Sequence, residues 1–169
     1  MGQKKSNTAG DAPIDLNFIN PFILGAVDAL QIQGGLKVEG GKPFLKGKRP
    51  QPQFVVGAVL GLTSKDFKGA LSLYFEKAPF LAMLERMFGE TVKEVTDEYA
   101  DAAAEILNIT YGAAKTKLNA MGYELTKALP TVLRGTDFKA TFAGRNPIIV
   151  IPLMTDAGQI HIEISFDPN

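Results

Sequence analysis

The chain has 169 residues, enough for one domain with a sizeable core, and 46% of them are hydrophobic against 21% charged. Lysine plus arginine (18) balances aspartate plus glutamate (18), so no strong net field draws the protein to nucleic acid or to a membrane surface. With no cysteine, disulfides, thiolate metal sites and thiol catalysis are excluded; a single histidine excludes paired-histidine zinc sites and leaves little room for a Ser-His-Asp triad.

Residues 1–12 are polar and read as a disordered tail ahead of a single domain over 13–169. Lys4 and Lys5 are followed by polar residues, so no secretory signal is expected, and no apolar run is long enough to span a bilayer. The start Met1-Gly2-Gln3-Lys4-Lys5-Ser6 fits the N-myristoylation pattern, a pattern short enough to arise by chance. The expected location is the cytoplasm.

A helical pattern covers 14–32, with Asn20 as a candidate N-cap and Pro21 in the favoured first turn. Phe22, Ile23, Ala26, Val27 and Leu30 form its inward face, and Gly34-Gly35 ends it. A short strand is expected at 36–39. Residues 40–53 carry Lys42, Lys46, Lys48 and Arg49 among three prolines, which reads as a solvated loop or as a basic rim for an acidic partner. Strands at 54–62 and 69–75 are joined by the turn 63–68 as a hairpin. A short amphipathic helix follows at 79–88, with Phe80, Leu81, Leu84, Met87 and Phe88 as its apolar stripe and Gly89 as its stop.

The longest helical pattern is 97–122: Asp97, Glu98 and Asp101 crowd its start, Lys115 and Lys117 lie near its end, and Gly122 closes it. Residues 123–133 are extended or irregular around Pro130, and strands follow at 136–142, 148–153 and 159–166, the last two as a hairpin. In the final strand Ile160, Ile162, Ile164 and Phe166 share one side, which leaves His161 on the other, expected to be solvated and without chemistry. The segments 55–75 and 148–166 repeat one scheme: apolar strand, polar turn with glycine, alternating strand ending in phenylalanine. The expected fold is α+β, a duplicated helix-plus-antiparallel-meander unit with halves at about 14–89 and 97–166, the sheet packed against long helices.

On a helical wheel Ala100, Ala104, Leu107, Tyr111, Ala114 and Leu118 share one face of the long helix, while Ile106, Ile109, Ala113 and Ala120 cover much of the opposite side. Between them, in an arc of about 80°, run Asp101, Glu105, Asn108, Gly112, Lys115 and Asn119. A polar window in a helix apolar on both flanks has to face water, a partner or a ligand, and is the candidate site. Gly112 in that window permits close approach of another backbone. Taken alone, Glu105 pairing with Lys115, or Asn108 closing a buried polar contact, would explain the same residues.

The window also carries a motif. Asp101-x-x-x-Glu105-x-x-Asn108, then Gly112-Ala113-Ala114-Lys115-Thr116, with Pro130 further on, resembles the CheC/CheX/FliY chemotaxis phosphatases, and the Asn20-Pro21-Phe22-Ile23 start brings it nearest to CheX. The resemblance implies a CheC-like fold and an enzyme that dephosphorylates the phospho-aspartate of a CheY-type response regulator. By position, Asn108 would orient the attacking water and Glu105 would pair with the regulator's active-site lysine. Asp101, Gly112 and Lys115 would support docking, and Pro130 would be structural. It further implies no metal or cofactor of its own, with Mg²⁺ held by the partner, and a homodimer whose sheets join across subunits. CheC carries the Glu-Asn pair on both helices; here the first helix lacks the glutamate, so one site per chain is expected. The competing readings are a non-enzymatic dimeric CheX-like adaptor that binds a receiver or motor protein, and a ligand-binding sensor using a cleft beside the long helix.

Overall fold

The computed structural model describes residues 15–126, 128–136, 138 and 146–169. The expected tail at 1–12 and most of the expected strand at 136–142 lie outside the described residues. The chain runs α1 (Leu16–Ile32), β1 (Val38–Gly40), β2 (Phe44–Leu45), β3 (Phe54–Thr63), β4 (Phe67–Glu76), α2 (Lys77–Phe88), α3 (Asp97–Ala120), β5 (Thr131–Arg134), β6 (Ile149–Thr155) and β7 (Gln159–Pro168). All strand pairs are antiparallel, in the order β1-β6-β7-β4-β3-β5, with β2 also on β6. The central pair is β4–β7. The hairpins β3–β4 and β6–β7 flank it, and each outer strand lies on the hairpin remote from it in sequence: β1, which follows α1, on β6, and β5, which follows α3, on β3.

Period-two alternation gives the sheet two faces. Ile160, Ile162 and Ile164 of β7 stand in register with Phe75, Leu73 and Leu71 of β4, and all are fully buried in the core beneath α1 and α3. The other side of the same ladder pairs Tyr74 with His161 and Ser72 with Glu163. This second face is not solvated as expected, since His161 is 3% and Glu163 2% exposed. Among the described residues, Phe54, the segment 40–53 and the Phe138 ring, which packs on Tyr74, cover it. A register shift between Phe54 and Val56 turns the Phe54 ring onto this side, 5.6 Å from the Tyr74 ring and 5.0 Å from the His161 ring. The segment 40–53 lays β2 along β6 and sends Lys46 Nζ 2.9 Å from Glu163 Oε2, while Arg49 stacks 4.6 Å over the Phe44 ring. The basic segment is therefore tied to the sheet on the face opposite the helices, and it does not rim α3.

α1 fills the helical pattern expected over 14–32, but its cap is not the expected residue. Asp15 is the N-cap, its carboxylate accepting from the Asn17 N–H at 3.0 Å, and Pro21 lies inside the helix, so neither Asn20 nor Pro21 marks its start. An internal proline removes one helical hydrogen bond and costs roughly 3 kcal/mol. Burial of Phe18 and Ile19 offsets it: the Phe18 ring centroid lies 5.1–5.4 Å from those of Phe22, Phe67, Tyr123 and Phe166. α2 ends on Gly89 at φ 72°, as its glycine stop implies. Its inward residues are Phe80, Met83 and Leu84, whereas Phe88 at the end of the expected stripe is 54% exposed, with the Tyr99 ring tilted against it at 5.7 Å.

Candidate functional site

α3 is a well-terminated helix. The Thr96 hydroxyl accepts from the Tyr99 N–H at 3.3 Å, Asp97 and Glu98 occupy its first turn, Lys117 its last, and Gly122 takes φ 93° just beyond it. Two sides are fixed by packing. Ala100, Leu107, Tyr111, Ala114 and Leu118 are buried on one side, and Ala102, Ala103, Ile106 and Thr110 on an adjoining one. The crossing with α1 is close: a Cβ on Gly25 would stand 2.8 Å from the Thr110 carbonyl oxygen and 3.4 Å from the Ala113 Cβ. Thr110 is buried without an orphaned hydroxyl because it donates to the Ile106 carbonyl at 2.8 Å. Tyr111 donates to the Thr126 carbonyl, pinning the chain after α3, and burial pushes its phenol pKa up.

What remains is an exposed face. Asp101, Glu105, Asn108 and Gly112 are all exposed, and Lys115 is half-buried. The face is wider than the expected window: Ala113 and Ala120 are exposed and Ile109 is half-buried, so the second flank is only partly covered. Asn119 leaves the set, because its side-chain oxygen accepts from the Leu125 N–H at 2.7 Å and its amide donates to the Leu125 carbonyl at 3.4 Å; it closes the turn after the helix. Pro130 is half-buried immediately before β5, away from the α3 face in sequence and on a separate element.

Among the described residues, the side chains of Glu105 and Asn108 make no hydrogen bond or ion pair. The intrachain uses that would have explained them, a Glu105–Lys115 pair and an Asn108 buried contact, are not formed. An unpartnered carboxylate and an unpartnered amide thus stand side by side, three residues apart on one exposed helix face. The carboxylate offers only acceptors and a negative charge; the amide both donates and accepts, as ordering a water molecule requires.

At the N-terminal end of the same face, Asp97 is ion-paired with Arg134 of β5. Sequence reasoning missed this pair, since a contact between α3 and an edge strand is non-local, although Asp97 falls on the wheel line of Asp101 and Glu105. Beside it lies a cleft of about 710 Å³ lined by residues including Lys77, Glu94, Val95, Asp97 and Arg134. Four of the residues that line it, Lys77, Glu94, Asp97 and Arg134, are charged, whereas a small-molecule site is lined predominantly by apolar side chains with a few polar groups. Among the described residues no group of three or more His, Asp or Glu side chains is placed to hold a metal ion, and no helix is long and apolar enough to cross a membrane.

Two long helices packed on one face of an antiparallel sheet, with an open Glu-x-x-Asn face on the second, place the molecule among proteins of CheC-like fold. The structure of a CheC-like superfamily protein from Shewanella sp. PV-4 superimposes with a TM-score of 0.84 at 30% identity, covering 91% of this chain and 99% of that one. The chemotaxis protein CheX of Vibrio vulnificus superimposes with a TM-score of 0.83 at 27% identity, covering 89% and 99%. The family model described as chemotaxis phosphatase CheX matches residues 56–154, more than half of the chain, and the chain belongs to that family. It is also 28% identical over 127 residues to the CheY-P phosphatase CheX of Thermotoga maritima, an alignment spanning 75% of this chain and 81% of the relative.

Proposed function

We propose that this protein dephosphorylates the phospho-aspartate of a CheY-type receiver domain, with Asn108 orienting the attacking water and Glu105 pairing with the receiver's active-site lysine. The observation that carries the reading is the unpartnered Glu105 and Asn108 on the open face of α3 in a member of the CheX family. In the reaction the water oxygen bonds to phosphorus in line with the departing carboxylate. The bond between phosphorus and the aspartyl oxygen breaks, its electron pair stays on the carboxylate, and the water's proton leaves with inorganic phosphate. Such a displacement needs positioning and charge stabilisation more than a covalent nucleophile.

The amide of Asn108 accepts from the water with its oxygen and donates with its nitrogen, holding the water's lone pair toward phosphorus. Glu105 engages the lysine and fixes the receiver along the helix. Asp101 extends the acidic line by one turn, Lys115 lies on the same line beyond Gly112, and Pro130 leads into β5. The Mg²⁺ of the reaction belongs to the receiver, so this chain supplies no metal ligand. His161 is buried on the opposite face of the sheet and takes no part. The reading carries a cytoplasmic location and a homodimer joined at sheet edges.

Steady-state loss of phosphoryl label from a receiver of the same organism tests it. Asn108→Ala should lower kcat on the order of 100-fold, the scale of lost positioning, and Glu105→Ala should raise KM as well as slow turnover. Wild type that binds phosphorylated receivers without accelerating their dephosphorylation makes the protein an adaptor instead. Wild-type activity that survives Asn108→Ala puts the site elsewhere.

A further inference from the structure

Gly112 lies in the middle of α3, and nothing among the described residues accounts for it. Among the described residues, a Cβ built there meets no atom within 4 Å, and its φ is not among the positive ones. Gly25 is the opposite case, since the α1–α3 crossing itself leaves no room for a side chain there. Glycine inside a helix is less favourable than alanine because the unfolded chain has more freedom to lose. At Gly112 no close contact among the described residues offsets that cost. The residue sits one turn beyond Asn108, exposed with it and next to the exposed Ala113.

We infer that Gly112 sets the depth of docking: the main chain of the partner receiver passes in van der Waals contact over the bare helix backbone at this point, which seats the phosphoryl group where Asn108 can serve it. The inference rests on the phosphatase reading above. Charge on the same face favours this occupant. Asp101 and Glu105 precede Asn108 and Lys115 follows Gly112, so the helix presents an acidic half and then a cation. An active site holding a lysine next to an aspartyl phosphate has the complementary polarity. A methyl group at position 112 would hold the partner off, and displacements of about 1 Å cost on the order of 100-fold in reactions that depend on positioning. Gly112 is thus a positioning residue, acting through the distance it allows and not through contact with the reacting atoms.

The test compares wild type with Gly112→Ala and Gly112→Leu, using a CheY-type receiver phosphorylated by acetyl phosphate. Thermal midpoints are measured alongside kcat/KM. The expected result is a midpoint raised by about 2–4 °C for Gly112→Ala, with kcat/KM reduced at least about 10-fold and reduced further for Gly112→Leu. A lowered midpoint overturns the inference, because the fold itself would then need the glycine. A raised midpoint with full activity also overturns it, because no backbone then comes close. If light scattering shows that either variant changes the oligomeric state, the clearance serves a second copy of this chain and the inference fails. Wild type inactive on every receiver of the organism removes the phosphatase reading and this inference together, whereas an active wild type with active variants removes only the latter.

Discussion

His161 and Glu163 stand two residues apart on one strand and share a buried face, yet their protons respond to that face in opposite directions. Burial, with the Lys46 ammonium second, holds the His161 pKa down at about 4. Burial pushes the Glu163 carboxyl up, and its hydrogen bond from Lys46, 26% exposed at the end of a long side chain, opposes that rise. For His161 the linkage has a definite sign. The unfolded chain binds a proton near pH 6.5 and the folded chain does so only near 4, so its contribution is complete above about pH 6.5 and is lost as pH falls toward 4. The full effect is up to about 3 kcal/mol. Denaturant titrations of His161→Gln between pH 7 and 4.5 should show a shallower loss of stability than wild type; parallel curves would mean that His161 is not held neutral by the fold. Nothing in the alternation of β7 announced this. Gln159, His161, Glu163 and Ser165 read as the wet side of a strand, because the segment that covers them lies more than a hundred residues earlier.

Among the elements, those whose evidence is local were readable and those that depend on distant contacts were not. α3 announces itself through charge order, periodicity and Gly122, and its observed limits agree closely with 97–122. The same was true of the β3–β4 and β6–β7 hairpins and of the Gly89 stop of α2. The extent of α1 agrees with the pattern over 14–32, but Asn20-Pro21 looks like a helix start, while the aromatic cluster that holds the turn ahead of it joins Phe18 to rings from three other places in the chain, Phe67, Tyr123 and Phe166. The segment 40–53 reads as solvated because neither its pairing with β6 nor the Lys46–Glu163 contact leaves a local trace. The α1–α3 crossing makes a prediction at this scale. Gly25→Ala improves helix propensity by roughly 1 kcal/mol, but its methyl would meet the Thr110 carbonyl, and overpacking of this kind costs about 1–3 kcal/mol. The variant should therefore have a lower thermal midpoint than wild type. A higher midpoint would show that the helices separate without strain.

For the whole molecule, the strand order reads alike from either end, with each outer strand seated on the hairpin remote from it in sequence. The repeat of 55–75 in 148–166 was visible as two hairpins, but the exchange of outer strands was not, because strand patterns do not say which neighbour they pair with. One end of this sheet also bears on assembly. β5 pairs only with β3 among the described residues, and Leu129, 76% exposed, stands just before it. A strand edge without a second neighbour among the described residues, with an exposed apolar residue at its head, is a surface that needs cover, and on the proposed homodimer reading a second copy of the chain would supply it by continuing the sheet. Light scattering at micromolar concentration should give twice the chain mass of 18.2 kDa. A mass of one chain at every concentration tested would leave that edge to some other cover.

The tie between Lys46 and Glu163 has a practical consequence for anyone who wishes to watch this protein work. It fastens the basic segment at its middle, and Arg49 folds back over the Phe44 ring, so that the exposed turn at Gly47 and Lys48 lies anchored on the reverse side of the sheet. A fluorophore or a surface linker attached at Lys48 would stand behind the molecule with the sheet between it and α3. Immobilised in this way, the protein would present Glu105, Asn108 and Gly112 outward to whatever is flowed across it.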